Sequence, residues 1–176
     1  MAKRRATSAD LVTRPATSDD GSHLSSFKCS EGEWYEDEVE EYLKNQAIKH
    51  LADTGGLTYH LLLTLEKDEL IACAGHHVEP LIIDSGHLIE FVRLYVLAIS
   101  LDHRGRRLDD GTALSDAMLR LAASDAHAAH GDKPLTAIVA NQNRRSMAVV
   151  ERNGRWSQVR YGGSYTRFVG QMKIEE

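Results

Sequence analysis

The longest apolar stretch of the sequence constrains the fold most strongly, because such a stretch must be buried. It runs from His87 to Leu101 and is broken by the charged residues Glu90 and Arg93. It is too short to cross a bilayer as a helix, and its Val, Ile, Leu, Phe and Tyr residues favour extended structure. We therefore interpret Leu88–Ser100 as a buried central strand of a β-sheet.

Strands and helices are predicted in a mixed order around this central strand. The elements predicted before it are a strand at Leu11–Ala16, an amphipathic helix at Glu33–Ala52 and strands at Tyr59–Leu65 and Leu70–Val78. The elements predicted after it are a helix at Thr112–His130, a strand at Leu135–Ala140, a helix from Asn143 to Asn153 and strands at Trp156–Arg160 and Tyr165–Lys173. This order predicts an α/β (α+β) fold with a mixed sheet of about six to seven strands and helices on both faces.

The length of 176 residues predicts one domain with one sizeable core. We expect residues 1–8 to form a disordered basic tail and residues 9–176 to form the domain. Cys29 and Cys73 are too few for a disulfide framework, which favours a reduced, cytoplasmic protein. No apolar region follows the basic start of the chain, so no secretory signal is predicted.

The formal net charge of −5 is unevenly distributed along the chain. Residues 1–100 carry nine Lys and Arg against seventeen Asp and Glu, a balance of −8, whereas residues 101–176 carry twelve against nine, a balance of +3. The acidic half would attract a cationic ligand and the basic half an anionic one, although two solvated faces explain the same numbers. Because the chain as a whole is acidic, nucleic-acid binding is not expected, and the scattered histidines predict no metal site.

The segment from Leu97 to Leu114 carries the strongest functional signal, because a buried strand, a basic loop with glycine and a helix start follow one another there. Backbone N–H groups at a helix N-terminus bind phosphates without special side chains. Arg104, Arg106 and Arg107 add positive charge that would suit a pyrophosphate or a 3′-phosphate. An exposed basic loop before an ordinary helix explains the same residues, and both interpretations stay open at this point.

This segment resembles the acetyl-CoA motif of the GNAT acyltransferases, in which a strand L-x-V-x-P leads to R-G-x-G-x-G and a helix. The matching residues are Leu97, Ile99, Arg104, Gly105 and the run Gly111–Leu114. A second segment, from Asn143 to Gly154, resembles the N-x-x-S motif of the same family, which is followed by a Glu and a Gly. The two motifs occur in the order found in the family, and the predicted elements match its fold over nearly the whole chain.

The resemblance implies acetyl-CoA as co-substrate and an amine as acceptor: a small amine, a polyamine, or a protein or peptide amine. The backbone around Leu97 and Ile99 would bind the pantetheine arm along a splayed, bulged strand, and the amides from Arg104 to Thr112 would bind the pyrophosphate. Asn143 and Ser146 would lie near the pantetheine. The cofactor-binding residues predicted in this way are Leu97, Ile99, Arg104, Gly105, Arg106, Arg107, Gly111, Thr112, Asn143 and Ser146.

Three departures from the family pattern keep an alternative open. Arg107 stands where the family usually has glycine, and Asp109-Asp110 forms an insertion before Gly111 that would either weaken CoA binding or cap the helix, which we favour. Val150 replaces the Tyr that many members use as a general acid. The alternative is therefore a catalytically degenerate module that binds CoA or a protein.

Several residues are candidates for proton transfer, each with a structural explanation beside the catalytic one. Glu90 is the first candidate for the general base, although it would also suit an ion pair with Arg93. His76 or His77 is the second, and these neighbours point to opposite faces of the sheet. Tyr161 is a candidate acid, as is Tyr95, although a buried tyrosine usually serves packing.

The acceptor and the assembly state are less constrained. The acidic helix face around Glu36–Glu41 favours a cationic acceptor such as a polyamine or a Lys side chain. The segments Phe27–Ser30 and Glu38–Ala47 faintly resemble the front of GNAT toxins that acetylate aminoacyl-tRNA, a minor alternative because those toxins usually keep the Tyr missing at Val150. Family members are often dimers, so a homodimer is expected from the resemblance alone.

Overall fold

The computed structural model describes residues 11–54, 59–82 and 88–172. The strands are β1 (Leu11–Pro15), β2 (Tyr59–Glu66), β3 (Glu69–Ile82), β4 (Leu88–Ile99), β5 (Leu135–Ala140), β6 (Gly154–Tyr161) and β7 (Tyr165–Met172). The helices are α1 (Gly21–Ser26), α2 (Trp34–Asn45), α3 (Ala47–Thr54), α4 (Leu114–His130) and α5 (Arg144–Asn153). The tail predicted at residues 1–8 lies outside the described residues.

The strands form one mixed sheet in the order β1-β2-β3-β4-β5-β7-β6. Neighbouring strands are antiparallel, except that β4 and β5 are parallel. Helix α4 connects these two parallel strands, as a parallel connection requires. The predicted mixed sheet with helices on both faces is confirmed.

Each face of the sheet is covered by its own hydrophobic core. On one face, α4 and α5 pack against Val92, Leu94 and Phe168, and α4 contributes residues such as Leu114 and Met118 at helical spacing. On the other face, α1, α2 and α3 pack against the opposite sides of β2 and β3. Fully burying one such side chain contributes about 1.5–3 kcal/mol, so the two cores fix the helices to the sheet.

A β-bulge in β4 reverses which face its side chains occupy. Gly75 pairs with Val96, whereas the next residue of β3, His76, pairs with Leu94, so Tyr95 is an extra residue in β4. As a result, Leu94 belongs to the core under α4, and Val96 belongs to the core under α1–α3. The bulge thereby turns the last part of β4 relative to the rest of the sheet.

The two parallel strands separate just beyond this bulge. Their ladder covers Val92–Leu94 on β4 and Leu135–Ala137 on β5, while β5 continues to pair with β7 as far as Ala140. The remainder of β4, up to Ile99, therefore presents a backbone edge that β5 does not use. This separation opens the middle of the sheet toward the loop that follows β4.

Four features differ from the sequence predictions. The helix predicted at Glu33–Ala52 is two helices, because Gln46 leaves the helical conformation with φ −121°. The segment between β1 and α2, for which no helix is predicted, contains a capped 3-10 turn at Ser18–Asp20 and then α1.

The strand predicted at Leu70–Val78 extends from Glu69 to Ile82. The predicted aspartate cap of α4 is wrong, because Ala113 is the N-cap and Asp110 instead accepts a hydrogen bond from the amide of Thr112 at 2.8 Å.

In the part of the chain that the structure describes, no helix has the length and apolar character needed to span a membrane.

Candidate functional site

A cavity of about 580 Å³ opens where β4 and β5 separate. The end of β4 lines one side with Leu97, Ala98 and Ile99. The loop before α2 and the first turns of α2 line a second side, and α5 lines a third. The loop between β4 and α4 completes the lining with Arg104, Gly105, Arg107 and Ala113.

Hydrogen bonds inside the loop between β4 and α4 engage alternate backbone amides. The amide of Leu108 donates to the carbonyl of Thr112 at 2.8 Å, and the amide of Leu114 donates to the carbonyl of Arg106 at 3.0 Å. These bonds join the two arms of the loop like a short antiparallel ladder. In such a ladder, the amides of the residues between the bonded positions point outward.

The outward amides meet at the cavity. Within the described residues, the amides of Gly105, Arg107, Ala113 and Ser115 have no hydrogen-bond acceptor. All four residues line the cavity. Among the residues whose amides are engaged, Leu101 and Arg104 also line it, whereas Arg106, Leu108, Thr112 and Leu114 do not. The loop therefore directs its free N–H groups toward one space.

This arrangement suits an anion. The helix α4 starts at Leu114, and its positive dipole end lies beside the free amides. Gly105 and Gly111 have φ values of +71° and +85°, in the left-handed region that favours glycine, which allows the loop to turn back on itself. A set of converging backbone N–H groups at a helix start can bind a diphosphate without any charged side chain.

The three loop arginines have different environments. Arg104 donates to Glu31 at 2.7 Å, lies 2.9 Å from Glu36 and also donates to a backbone carbonyl in the loop before α2. Arg106 forms two hydrogen bonds of 2.8 Å to Glu66 and is not part of the cavity lining. Arg107 donates to the carbonyl of its own loop and lines the cavity without a carboxylate partner among the described residues. Its positive charge is therefore the one most open to a ligand.

Asn143 and Ser146 have a structural role that explains their spacing. Asn143 is the N-cap of α5, and its side-chain oxygen accepts a hydrogen bond from the amide of Ser146 at 3.0 Å. An Asn in this position stabilises the first turn of a helix. Both residues line the cavity, so the cap also fixes this wall of the site.

Comparisons with known proteins give matches among solved structures. No model of a known protein family matches the sequence, and no curated protein matches it. A PaiA N-acetyltransferase from Thermoplasma acidophilum, solved with coenzyme A, has a TM-score of 0.66 and 15% identity, over 92% of this chain and 98% of that chain. The GNAT domain of S. lividans PAT has a TM-score of 0.64 and 21% identity, over 89% of this chain and 88% of that chain. The chain has the GNAT acetyltransferase fold.

A third structure with a similar fold is that of a toxin. A mutant of AtaT, solved with the C-terminus of the antitoxin AtaR and acetyl-CoA, has a TM-score of 0.61 and 15% identity, over 91% of this chain and 93% of that chain. Because all three identities are low, the similarity is one of fold. What this GNAT fold can bind has to be inferred from its own cavity.

The predicted cofactor-binding residues fall into two groups in this GNAT fold. Those that line the cavity are Leu97, Ile99, Arg104, Gly105, Arg107, Asn143 and Ser146. Those that do not line it are Arg106, Gly111 and Thr112. The amide of Thr112 donates to Asp110, and the guanidinium of Arg106 is bonded to Glu66, so neither group faces the cavity.

Two of the predicted catalytic residues lie away from the cavity. Glu90 is 52% exposed near the opposite end of β4, and it lies 3.6 Å from Lys133 rather than beside Arg93. His76 is fully buried under α4, where Nε2 lies 2.8 Å from Asp125. The geometry therefore gives no support to a catalytic role for either residue.

Two further candidates, His77 and Tyr95, also lie elsewhere. His77 contacts the ring of Tyr95 on the sheet face opposite to His76, and neither residue lines the cavity. The hydroxyl of Tyr95 donates to the carbonyl of His60 at 3.3 Å, and burial raises the Tyr95 pKa far above its usual value. Tyr161 belongs to β6, but its side chain lies outside the described residues.

Val150 does not face the cavity either. It is 4% exposed and belongs to the core under α4 and α5. Its carbonyl accepts a hydrogen bond from the indole of Trp156 at 2.7 Å. Its neighbours Ala148 and Val149 line the cavity instead.

Sequence reasoning missed most of the residues that close the site from the side of α2, although it placed Glu36 on an acidic helix face that would attract a cationic acceptor. Cys29, Glu31, Tyr35, Glu36 and Val39 line the cavity. The loop that holds the first two residues has no periodic pattern, and its position depends on contacts with Arg104, so no local signal identifies it. Burial raises the pKa of the Cys29 thiol to about 12, which keeps it protonated and unsuited to act as a nucleophile.

Proposed function

We propose that the protein is an acetyltransferase that moves the acetyl group of acetyl-CoA to an amine acceptor, by direct attack while both are bound. The observation that supports this most strongly is the set of four free amides, at Gly105, Arg107, Ala113 and Ser115, that face one cavity beside an unpaired strand edge. CoA carries a diphosphate and a pantetheine arm, and the cavity offers a partner for each.

The residues fit the two parts of CoA in turn. The free amides and Arg107 would hold the diphosphate. The backbone of β4 near Leu97 and Ile99, which β5 leaves unpaired, would bond the amides of the pantetheine arm as an added strand would. When bound, acetyl-CoA supplies a reactive thioester, and the task left to the protein is to position the acceptor amine and to stabilise developing charge with N–H groups.

Few side chains in the cavity could take the proton that the acceptor amine loses. The carboxylates that line the cavity, Glu31 and Glu36, are both paired with Arg104. Val150 lies in the core and supplies no acid. We therefore propose that catalysis depends on positioning, and that the acceptor amine loses its proton to water rather than to a dedicated side chain.

The substitution Ala113→Pro tests the free amides directly. Ala113 has φ −68°, which proline adopts without strain, and its amide has no acceptor among the described residues. The substitution removes this N–H, so we expect acetyl-CoA affinity to fall about tenfold, which corresponds to one hydrogen bond to a charged group. Ala113→Ser keeps the N–H and is the matched control. Calorimetric titration with acetyl-CoA measures both, and thermal melting checks that each variant is folded.

Binding and turnover have separate outcomes. No binding of acetyl-CoA to the wild type at millimolar concentration would overturn the proposal as a whole. Release of the CoA thiol, followed across a panel of primary amines that includes a polyamine and a lysine peptide, tests acetyl transfer. The cytoplasmic location, the homodimer and the nature of the acceptor stay predictions.

A second candidate function is a module that binds CoA without catalysis. The absence of an acid at Val150 and the pairing of Glu31 and Glu36 favour it. This candidate predicts that acetyl-CoA binds but that no amine of the panel releases the CoA thiol. The toxin alternative predicts impaired translation in a cell extract given the protein and acetyl-CoA, and unimpaired translation would exclude it.

A further inference from the structure

A cluster of histidines and one aspartate lies under α4, outside the cavity lining. His60 and His76 are register partners on β2 and β3, so both side chains point to the same face of the sheet. Asp125 and His130 project onto them from the last part of α4. These residues are far apart in the sequence, which is why their spacing predicted no metal site.

The imidazole nitrogens converge on one carboxylate oxygen. His76 Nε2 lies 2.8 Å from Asp125 Oδ2, and His60 Nδ1 lies 3.3 Å from the same oxygen. The three ligand atoms all lie within 4.8 Å of one another. The two imidazole rings are stacked with their centroids 4.5 Å apart.

A third imidazole lies beside the cluster. The ring of His130 meets those of His60 and His76 edge-on, with centroids 5.3 Å from each. Its Nε2 is buried and has no hydrogen-bond partner among the described residues. A buried polar atom without a partner is costly, so such an atom needs an explanation.

We propose that His60, His76 and Asp125 bind a divalent transition-metal ion of the zinc type. Imidazole with one carboxylate suits zinc and its neighbours in the first transition series better than magnesium or calcium. Ligand atoms about 2.0–2.1 Å from a tetrahedral zinc ion lie about 3.3 Å apart, close to the separations that the two histidines keep from Asp125.

The surroundings of the cluster suit such an ion. His76 is fully buried, whereas His60 and Asp125 are 28% and 35% exposed, which leaves a route from solvent. Because the three ligands come from β2, β3 and α4, the ion would fasten the last part of α4 to the two strands. The proposal does not depend on acetyl transfer.

The test uses untagged full-length protein, treated with a chelator and dialysed. Titration with zinc chloride in a calorimeter is expected to show about one equivalent bound, and titration with cobalt chloride to give the visible absorption of a tetrahedral cobalt site. Asp125→Asn and His60→Gln each remove one ligand from a partly exposed position, and each is expected to weaken zinc binding at least tenfold. His127→Gln is the matched control, because His127 lies on the same helix but is 52% exposed and faces Asp132.

Thermal melting supplies a second readout. Zinc is expected to raise the melting temperature of the wild type and of His127→Gln, and excess chelator is expected to reverse the rise. Absence of zinc binding by the wild type, or equal binding by the wild type and both ligand variants, would overturn the proposal and leave a cluster held by hydrogen bonds alone. Acetyl-CoA binding by the same proteins is measured in parallel, so that failure of the metal site is distinguished from failure of the proposed function.

Discussion

At the level of single residues, the pairing of the cavity arginines controls what charge a ligand meets. Arg104 lies 2.7 Å from Glu31, and Arg145 lies 3.2 Å from the same carboxylate. Glu31 is 56% exposed, whereas Glu36, the other partner of Arg104, is 12% exposed. Because exposed ion pairs are weak, a phosphate group entering the cavity would displace Glu31 more easily than Glu36.

The substitution Glu31→Gln is therefore expected to increase the affinity for acetyl-CoA about two- to fivefold. It removes a carboxylate that competes with the phosphate groups for the guanidinium groups of Arg104 and Arg145. The ion pairs lost with this carboxylate are each worth less than about 1 kcal/mol. Glu33→Gln is the control, because it removes the same charge two residues away and lies outside the cavity lining. Titration calorimetry at two salt concentrations measures the effect, which should shrink at the higher one. Equal affinities of the two variants would contradict the competition.

At the level of elements, the wall formed by α2 and the loop before it depends on Glu40. One oxygen of Glu40 accepts hydrogen bonds from the amides of Cys29 and Ser30 at 2.9 and 3.0 Å, and the other pairs with Lys44 and Lys28. Although burial opposes ionisation, Lys44 and the two amides outweigh it and lower the Glu40 pKa to about 2. The carboxylate thus fastens the loop to α2.

This lowered pKa gives a stability prediction with a definite sign. The stabilisation by Glu40 is complete above the unfolded pKa of about 4.3 and is lost as pH falls from there toward about 2, since protons then favour the unfolded chain. We expect Glu40→Gln to lower the free energy of unfolding by about 1–3 kcal/mol at neutral pH and to flatten its decline in acid. Urea unfolding from pH 7 to pH 3 measures both. Glu41→Gln, on the exposed side of α2, is the control, and an identical decline in both variants would refute the assignment.

The bulge in β4 also depends on one small residue of β3. A Cβ atom placed on Gly75 would lie 2.6 Å from the Tyr95 hydroxyl and 2.7 Å from the backbone oxygen of His60. Because glycine has no Cβ atom, the side chain of Tyr95 can lie against Gly75. From there its hydroxyl donates a hydrogen bond to the backbone oxygen of His60.

Gly75→Ala is accordingly expected to destabilise the protein by about 1–3 kcal/mol. Adding Tyr95→Phe should restore part of the loss, because it removes the nearest of the three clashing atoms, the hydroxyl oxygen, and leaves the ring carbon that carries it and the His60 oxygen in place. A double-mutant cycle in urea measures the coupling. Gly163→Ala is the control, since an added Cβ there meets no atom within 4 Å. Additive effects of the two substitutions would show that Tyr95 does not crowd Gly75.

Elements with a strong local pattern could be predicted from the sequence, and features set by distant contacts could not. The apolar periodicity of α4 and the apolar run of β4 predicted both elements. The break at Gln46 was missed because Val39, Leu43, Ala47 and Leu51 continue one four-residue spacing through it. The loop motif predicted several residues that do line the cavity. The hydrogen bonds between Arg106 and Glu66 could not be predicted, because Glu66 lies forty residues away in the sequence, on another strand.

At the level of the whole molecule, the sheet holds the cavity, the histidine cluster and Glu90 in different places. The cavity lies at the end of β4, while the histidine cluster lies under α4 and Glu90 lies near the start of β4. Glu90 precedes the cofactor segment closely in the sequence. Because β4 is extended over twelve residues, Glu90 nevertheless lies near the end of the strand opposite to the cavity. Proximity in sequence along a strand is thus a poor guide to membership of one site.

This separation leads to a prediction about proton transfer. Glu90→Gln is expected to leave kcat and KM for acetyl-CoA unchanged, whereas Glu36→Gln, in the cavity wall, is expected to change KM for acetyl-CoA. If the acceptor loses its proton to water, kcat/KM should rise tenfold per pH unit up to the pKa of the acceptor amine, and the inflection should move when an amine of different pKa replaces it. The same inflection with both amines would point to a titrating protein group instead. Loss of that inflection in one carboxylate variant would then identify the group, because removing a general base flattens the limb of the profile that the base controls.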